Sequence, residues 1–192
     1  MDTQPAACRV LILGGARSGK SGFAERLLAE PADPRPVTYA ATAPRYPGDA
    51  EWADRIARHR AQRPGSWRTV ETGERPAALA ETLREAAGPV LVDCLTLWLT
   101  SAMDAVHAWD EDAWSRGAAP ARLAELTAAL LAAYSAARVP VVVVSNELGF
   151  GLVPPDPGSR RFRDELGRLN QAFAAAADDV RLVVAGLPLR LK

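Results

Sequence analysis

The chain has 192 residues, of which 48% are hydrophobic, and its 23 basic and 23 acidic residues give a formal net charge of zero. This length predicts one domain over residues 1–192, and the apolar content excludes a disordered chain. Because the charges balance, a general nucleic-acid binder and a binder of anionic membranes are disfavoured.

The N-terminus and the cysteines indicate the compartment. The first eight residues lack a basic segment followed by an apolar one, and no apolar run approaches the ~20 residues of a membrane span. Cys8 and Cys94 are the only cysteines, so no disulfide framework is expected. The sequence therefore predicts a cytoplasmic protein with two reduced, partly buried thiols and no membrane span.

A glycine-rich motif follows an apolar strand predicted over residues 9–13. It fits the phosphate-loop pattern G-x-x-x-x-G-K-[ST] with Gly14, Gly15, Ala16, Arg17, Ser18, Gly19, Lys20 and Ser21. Glycines allow backbone N–H groups to cradle phosphates, while Lys20 reaches the β- and γ-phosphates and the Ser21 hydroxyl ligates Mg²⁺. The alternative is a glycine-rich turn with a stray lysine.

A helix predicted over residues 22–28 follows the motif, with Phe23, Leu27 and Leu28 on one face. The strand predicted over 37–41 leads into a loop at Thr42. Loops at the carboxyl ends of strands line the ligand crevice of an open α/β sheet, so Thr42 is expected on the side of the phosphate loop.

A basic amphipathic helix is predicted over residues 51–62 and ended by Pro64. Trp52, Ile56, His59 and Arg63 recur at helical spacing and share one face. Two interpretations of His59 stay open at this point. It is either a surface or half-buried histidine, or a nucleophile or phosphate ligand among arginines.

Strands are predicted over residues 67–71 and 89–93, with a helix between them that begins at Pro76 and runs to Gly88. The second of these strands is apolar and ends in Asp93. Next to a phosphate loop, such a carboxylate is expected to help hold Mg²⁺. The alternative is that Asp93 caps the apolar helix that begins at Leu95.

The second half of the chain begins with a polar, acidic stretch, residues 109–119, which predicts an exposed loop. A long amphipathic helix over 120–138, a buried strand over 139–145 and a long loop over 146–158 follow. Arg160, Arg161 and Arg163 then open a helix that runs to Ala177, where they either meet an anion or form a solvated cluster. A strand over 180–185 and an edge strand over 189–191 end the chain.

The ordered set of motifs resembles the bifunctional adenosylcobinamide kinase and adenosylcobinamide-phosphate guanylyltransferase family of cobalamin synthesis, over nearly the whole chain. The matching segments are residues 14–21, 39–43, 55–60, 63–64, 67–71, 93–98, 145–154, 161–164, 170–171 and 186–192. The match is strongest over 145–154 and the segments that follow it. Ser101 departs from the asparagine expected there.

This resemblance implies an α/β P-loop NTPase fold that is RecA-like, with helices flanking a mostly parallel sheet of about seven strands and an antiparallel C-terminal edge. It implies phosphorylation of adenosylcobinamide with ATP or GTP. It also implies transfer of GMP from GTP to the resulting adenosylcobinamide phosphate, with release of pyrophosphate. The resemblance further implies a homotrimer in which a neighbour contributes to the corrinoid site.

Residue roles follow from the same resemblance. His59 matches the guanylylated histidine and, with Lys20, is the catalytic candidate; Ser21 and Asp93 are the candidates for holding Mg²⁺. Besides residues 14–21, the positions that match GTP contacts are Ala41, Thr42, Ala43, Arg60, Ala61, Gln62, Arg63, Glu71 and Asp93.

Two rival functions compete with this hypothesis. A small-molecule P-loop kinase without a covalent step would use Lys20 and Asp93 and leave His59 idle. A RecA-like binding module would instead act on DNA or on a partner protein, although the zero net charge counts against DNA.

Overall fold

The computed structural model describes residues 9–29, 35–61 and 63–192, without the side chains of Arg55 and His59. Cys8 and Gln62 lie outside the described residues. The strands are β1 (Arg9–Gly14), β2 (Thr38–Ala41), β3 (Arg68–Glu71), β4 (Val90–Asp93), β5 (Val141–Asn146), β6 (Asp179–Val184) and β7 (Leu187–Arg190). The helices are α1 (Lys20–Ala29), α2 (Ala50–Ala61), α3 (Ala77–Arg84), α4 (Leu95–Ala105), α5 (Glu111–Ser115), α6 (Ala118–Ser135) and α7 (Pro157–Ala176).

The strands form one seven-stranded sheet in the order β3-β2-β4-β5-β1-β6-β7. All neighbouring pairs from β3 to β6 are parallel, and β7 pairs antiparallel with β6. The predicted mostly parallel sheet with an antiparallel C-terminal edge is therefore confirmed. Among the described helices, none combines the length and the apolar character needed to cross a membrane.

Both faces of the central strands are covered by helices. Successive side chains of each strand point to opposite faces of the sheet, so each strand contributes to two cores. In β1, Val10 and Ile12 pack with Ala24 and Leu28 of α1. Leu11 and Leu13 belong to the larger core on the other face, which includes residues of α3, α4, α6 and α7. The continuous apolar runs in the sequence thus correspond to central parallel strands.

The buried face of α1 differs from the predicted one. Leu27 is 41% exposed, whereas Ala24 and Leu28 are buried and Phe23 is partly buried. The helix begins at Lys20, inside the phosphate motif, and Lys20, Ala24 and Leu28 follow one another at a spacing of four residues. This stripe faces the sheet, and Leu27 lies to one side of it.

The prediction of an exposed loop over residues 109–119 is wrong about the loop, because the stretch contains a helix, but most of its residues are exposed as expected. Asp110 caps a short helix, α5, by accepting a hydrogen bond from the backbone N–H of Ala113 at 2.7 Å. Glu111, the first residue of α5, forms an ion pair with Arg161 at 2.7 Å. An N-cap followed by acidic residues at the helix start stabilises a short helix. Residues 109–112 and 115–118 are exposed, while Trp109, Glu111 and Trp114 contact side chains of α7.

The arginines at the start of α7 contact the protein's own carbonyl groups. Arg161 is buried and donates to Ala108 O, and its guanidinium lies 4.5 Å from the Trp114 ring centroid. Arg160 donates to the carbonyl oxygens of Pro154 and Pro155. The solvated cluster expected as one alternative is therefore wrong for Arg161, which fastens α5 to α7.

We predict that Arg161→Ala lowers the free energy of unfolding by about 2–4 kcal/mol, because a buried carbonyl loses its donor and a stacked cation is lost. Arg168→Ala on the same helix is the matched control, since Arg168 is 67% exposed and pairs with Glu165 at the surface. It should change the stability by less than roughly 0.5 kcal/mol. Urea denaturation of both variants tests this, and equal losses would contradict the structural role of Arg161.

Candidate nucleotide-binding site

The candidate site lies at the carboxyl edge of the sheet, where five parallel strands end side by side. The pairing places Gly14 beside Asn146, Asp93 beside Val144, and Ala41 between Glu71 and Asp93. In open α/β sheets this edge carries the ligand crevice. The fold therefore gathers the phosphate loop and the strand-end polar residues at one place.

The conformation of the phosphate loop depends on its glycines and on a distant turn. A Cβ at Gly14 would come within 2.5 Å of Ser18 Oγ and 2.7 Å of Val183 O. Gly19 has φ +92° and packs against Gly186, whose N–H donates to Ser18 O at 2.8 Å. The turn between β6 and β7 thus supports the loop, which the sequence motif alone does not indicate.

A cavity of about 260 Å³ lies between the phosphate loop, the strand ends and α2. Its lining residues are Lys20, Ser21, Tyr39, Ala41, Ala43, Arg45, Trp52, Ile56, Arg60, Arg63, Thr69, Glu71, Asp93, Cys94, Leu97 and Asn146. The Glu71 carboxylate forms an ion pair with Arg45 at the exposed rim. The cavity combines cationic groups, carboxylates and apolar surface, which suits a nucleotide.

Eight of the predicted site residues line this cavity: Lys20, Ser21, Ala41, Ala43, Arg60, Arg63, Glu71 and Asp93. Residues 14–19 form the loop that leads into Lys20. Thr42 is fully buried, and its hydroxyl donates to Cys94 O and accepts from Cys94 N–H, both at 2.7 Å. It therefore supports the end of β4. Ala61 is exposed at the end of α2, and Gln62 lies outside the described residues.

His59 lies in α2, the helix that forms one wall of the cavity through Trp52, Ile56 and Arg60. Trp52 Nε1 donates to Pro44 O at 2.8 Å, and its ring lies 5.7 Å from that of Tyr46. These contacts attach α2 to the loop after β2. The structure thus brings the helix that carries His59 to the phosphate loop.

Tyr39 links the carboxylate of Asp93 to a cation near the end of α2. Its hydroxyl donates to Asp93 Oδ2 at 2.6 Å, and the Arg63 guanidinium lies 3.5 Å from its ring centroid. Burial and the neighbouring Asp93 charge raise the pKa of Tyr39 far above its usual range. The phenol therefore stays protonated and fixes one oxygen of Asp93, a role that the sequence pattern did not reveal.

A second carboxyl group, Glu25 of α1, lies in the field of Asp93. Its partial burial, followed by the Asp93 charge, raises the pKa of Glu25, and Arg63 and Arg26 oppose that shift. Folding thus makes the carboxylate form of Glu25 less favourable than it is in the unfolded chain. Glu25 and Asp93 therefore repel each other at this site, and the positive charges of Arg63 and Arg26 partly offset the repulsion.

Asn146 is a cavity residue that the sequence reasoning missed. Its N–H donates to Thr96 Oγ1 at 3.0 Å and its carbonyl accepts from Asn170 Nδ2 at 3.0 Å. The side-chain oxygen is buried and has no hydrogen-bond partner among the described residues. One signal could have indicated Asn146 as a site residue. It is a polar residue at the end of the apolar strand β5, which lies between the strand before the phosphate loop and the strand that ends in Asp93.

The donor set at the cavity fits a Mg²⁺ ion bound together with phosphates. Ser21 and Asp93 supply hard oxygen ligands, and Mg²⁺ usually takes only one or two protein carboxylates beside substrate oxygens and water. Burial and the Asp93 charge raise the pKa of Cys94 to about 11. The neighbouring thiol is therefore neutral at pH 7, and as a soft donor it does not suit Mg²⁺, which prefers oxygen ligands.

The sheet order, the phosphate loop and the cavity define a P-loop nucleotide-binding protein. The assembled type III secretion ATPase EscN of enteropathogenic Escherichia coli superimposes on 93% of this chain and 43% of its own, with a TM-score of 0.56 at 15% identity, which shows the fold alone. Residues 10–191 match the family model described as cobinamide kinase / cobinamide phosphate guanyltransferase, and the chain belongs to this family.

Relatives of nearly equal length support the assignment. The bifunctional adenosylcobalamin biosynthesis protein CobP of Pseudomonas aeruginosa is 48% identical over 96% of this chain and 97% of its own length. The corresponding CobU protein of Salmonella typhimurium is 38% identical over 95% of this chain and 99% of its own length. The resemblance stated from the motifs is confirmed at the level of the family.

We predict that Tyr39→Phe raises the Mg²⁺ concentration needed for half-maximal GTP binding by about tenfold, because outer partners that orient a metal ligand commonly affect affinity that much. A fluorescent GTP analogue titrated at several Mg²⁺ concentrations measures it. Tyr46→Phe is the control, since it removes a hydroxyl near the same cavity without touching Asp93. An unchanged Mg²⁺ requirement in Tyr39→Phe would contradict the role assigned to this hydrogen bond.

We predict that Glu25→Gln stabilises the protein at pH 7 but not below pH 4.5, the ordinary pKa of glutamate. Because the folded state raises the pKa of Glu25, its ionised form opposes folding, and this cost disappears at low pH where the carboxyl is protonated in both states. Urea denaturation at pH 4 and pH 7 tests the sign. The exposed Glu125→Gln should show no such pH-dependent gain; the same gain there would refute the explanation.

Proposed function

We propose that this protein phosphorylates adenosylcobinamide with ATP or GTP. We propose further that it transfers GMP from GTP to adenosylcobinamide phosphate through a guanylyl-histidine at His59. The observation that carries the proposal is one shared cavity. Lys20 and Ser21 of the phosphate loop face the same space as Trp52, Ile56 and Arg60 of α2, the helix in which His59 lies. A single nucleotide site thereby serves two transfers in a protein of the family.

In the kinase reaction, the hydroxyl of the acceptor attacks the γ-phosphorus and the nucleoside diphosphate leaves. The amides of residues 14–19 and the Lys20 ammonium hold the β- and γ-phosphates as charge shifts toward the leaving group. Ser21 and Asp93 would hold a Mg²⁺ ion, which would supply further charge neutralisation. Tyr39 keeps the Asp93 carboxylate oriented for that purpose through its hydrogen bond.

In the guanylyl reaction, a neutral imidazole nitrogen of His59 attacks the α-phosphorus of GTP, and the bond to pyrophosphate breaks. The phosphate of the acceptor then attacks the same phosphorus and releases the histidine. Arg60 of α2 and Arg63 beyond its end line the cavity and stabilise negative charge on the phosphoryl oxygens. Histidine suits this step because its neutral form is abundant near pH 7.

The assembly is proposed to be a homotrimer of single-domain chains, each spanning residues 1–192, that works in the cytoplasm where ATP and GTP are available. Exposed apolar side chains support association between copies. Leu187, Leu189 and Leu191 at the C-terminal edge are 55–73% exposed, and Phe150 and Leu152 in the loop after β5 are 84% and 96% exposed. Apolar exposure of this extent is typical of interaction surfaces.

The covalent step is tested with GTP labelled at the α-phosphate. We predict that the wild-type protein retains the label as an adduct that is labile in acid and comparatively stable in alkali, and that label at the γ-phosphate is lost. His59→Ala should abolish both the adduct and GMP transfer while sparing much of the phosphorylation of cobinamide, since the acceptor hydroxyl attacks the γ-phosphorus directly.

His107 provides the matched control, because the chain has two histidines and His107 lies exposed outside the cavity. His107→Ala should still be labelled. An adduct that survives His59→Ala, or its absence from the wild type, would overturn the covalent mechanism and favour a plain P-loop kinase.

A further inference from the structure

A second cavity, of about 450 Å³, lies beside the nucleotide cavity, between the loop after β5 and one face of α7. Glu147 in its wall donates its N–H to Gly14 O, the first residue of the phosphate loop, at 3.2 Å. Asn170, also in its wall, donates to the carbonyl of Asn146, which lines the nucleotide cavity. The linings of the two cavities therefore include the consecutive residues Asn146 and Glu147, and the bond from Asn170 to Asn146 connects them.

The wall formed by α7 holds one buried acceptor and one buried donor that the protein does not satisfy. Asn170 is 5% exposed, and because its Nδ2 donates to Asn146 O, its Oδ1 is fixed as the remaining acceptor. Arg163 uses Nη2 to bond Gly149 O at 2.8 Å. Within the described part of the chain, neither Asn170 Oδ1 nor Arg163 Nη1 has a hydrogen-bond partner. Such groups are costly unless a ligand or water completes them.

Gly167 lies between these two residues on the same face of α7 and leaves the wall open. A Cβ at Gly167 would meet nothing within 4 Å, so the space above the helix is accessible there. Arg163 and Asn170 are two helical turns apart, which is roughly 10.5 Å along the axis. One small group cannot reach both of them, whereas two side groups of a larger ligand can.

The charges of the cavity select against a polyanion. Glu147 and Asp164 in its wall balance Arg163 and Arg168, so a second nucleotide gains no net attraction there. A carboxamide is neutral, and it offers an N–H donor to Asn170 Oδ1 or a carbonyl acceptor to Arg163 Nη1. A large ligand that carries several carboxamides and reaches toward the phosphate loop fits both groups.

Resting on the proposed function, we propose that this cavity binds the carboxamide side chains at the rim of the corrinoid acceptor. Arg163 and Asn170 each receive one amide, and Gly167 gives the ring edge room to approach α7. The acceptor's hydroxyl or phosphate then extends past Asn146 and Glu147 into the nucleotide cavity. The same positioning serves both transfers, since the acceptors of the two reactions differ only by one phosphate group.

Three substitutions test the proposal by equilibrium dialysis of dicyanocobinamide without nucleotide. Arg163→Met and Asn170→Ala should each raise the dissociation constant roughly tenfold, the typical effect of a lost hydrogen bond to a buried or charged partner. Gly167→Leu should raise it by more than about tenfold, because the added side chain enters the cavity. Gly167→Ala, which adds one methyl group, and Arg122→Met on the exposed face of α6 are the controls and should bind normally.

Readouts that do not involve the corrinoid separate this site from the nucleotide site. Arg163→Met and Gly167→Leu should still form the GMP adduct from labelled GTP at the wild-type rate. Asn170→Ala is left out of this comparison, because the Asn170 side chain holds the carbonyl of Asn146 in the nucleotide cavity. Gly167→Leu should fold at least as well as the wild type, because leucine favours a helix over glycine, so it decides the question even where Asn170→Ala does not fold. Unchanged corrinoid binding in Gly167→Leu and Arg163→Met would overturn the proposal.

Hydrogen–deuterium exchange on the wild type gives an independent answer. Dicyanocobinamide should protect the backbone amides of residues 163–171. Protection confined to other segments, or failure of the wild type to bind dicyanocobinamide, would also overturn the proposal. Failure of the proposed function looks different: corrinoid binding at α7 would persist while labelled GTP gives neither a phosphorylated product nor an adduct.

Discussion

The position of β5 between β1 and β4 is the constraint on which the site depends. Hydrogen bonds on both edges of β5 hold it in parallel register, with Val141 beside Arg9 on one side and Val90 on the other. Its valines 141–144 are at most 3% exposed, so both of its faces are covered. A slip of one residue would exchange the two faces. The buried valines therefore fix the strand register that brings Gly14, Asp93 and Asn146 together at the carboxyl edge of the sheet.

Helix α2 is attached to this rigid edge differently from the other long helices. None of its described residues belongs to either core cluster. It is held by the Trp52 hydrogen bond to Pro44, the contact of Trp52 with Tyr46, and Arg63 above Tyr39 just beyond its end. Segments with few buried apolar contacts open at low free energy. The phosphate loop thus stays fixed while the wall that carries the proposed nucleophile is only lightly attached.

Local patterns in the sequence predicted the elements of the site, but not the contacts between them. The phosphate loop and Asp93 are recognisable because a strand, a loop and a helix follow one another within a few residues. The bond from Tyr39 to Asp93 spans 54 positions, and the Arg161–Glu111 pair spans 50. Neither pairing leaves a periodic signal. The same limit explains why residues 111–115 were predicted as loop, since the arginine that pairs with Glu111 comes from a distant helix.

Asn146 connects the two cavities mechanically. Its N–H is bonded to Thr96 at the start of α4, its carbonyl to Asn170 of α7, and the next N–H to Gly14 of the phosphate loop. Turning this backbone would break bonds to three elements, each worth about 1 kcal/mol. In the proposed arrangement, the backbone of Asn146 and Glu147 forms a stiff partition, with the nucleotide phosphates on one side and the acceptor on the other. In the proposed mechanism this partition stays in place during both transfers, and the change from attack at the γ-phosphorus to attack at the α-phosphorus is assigned to the nucleotide and to α2.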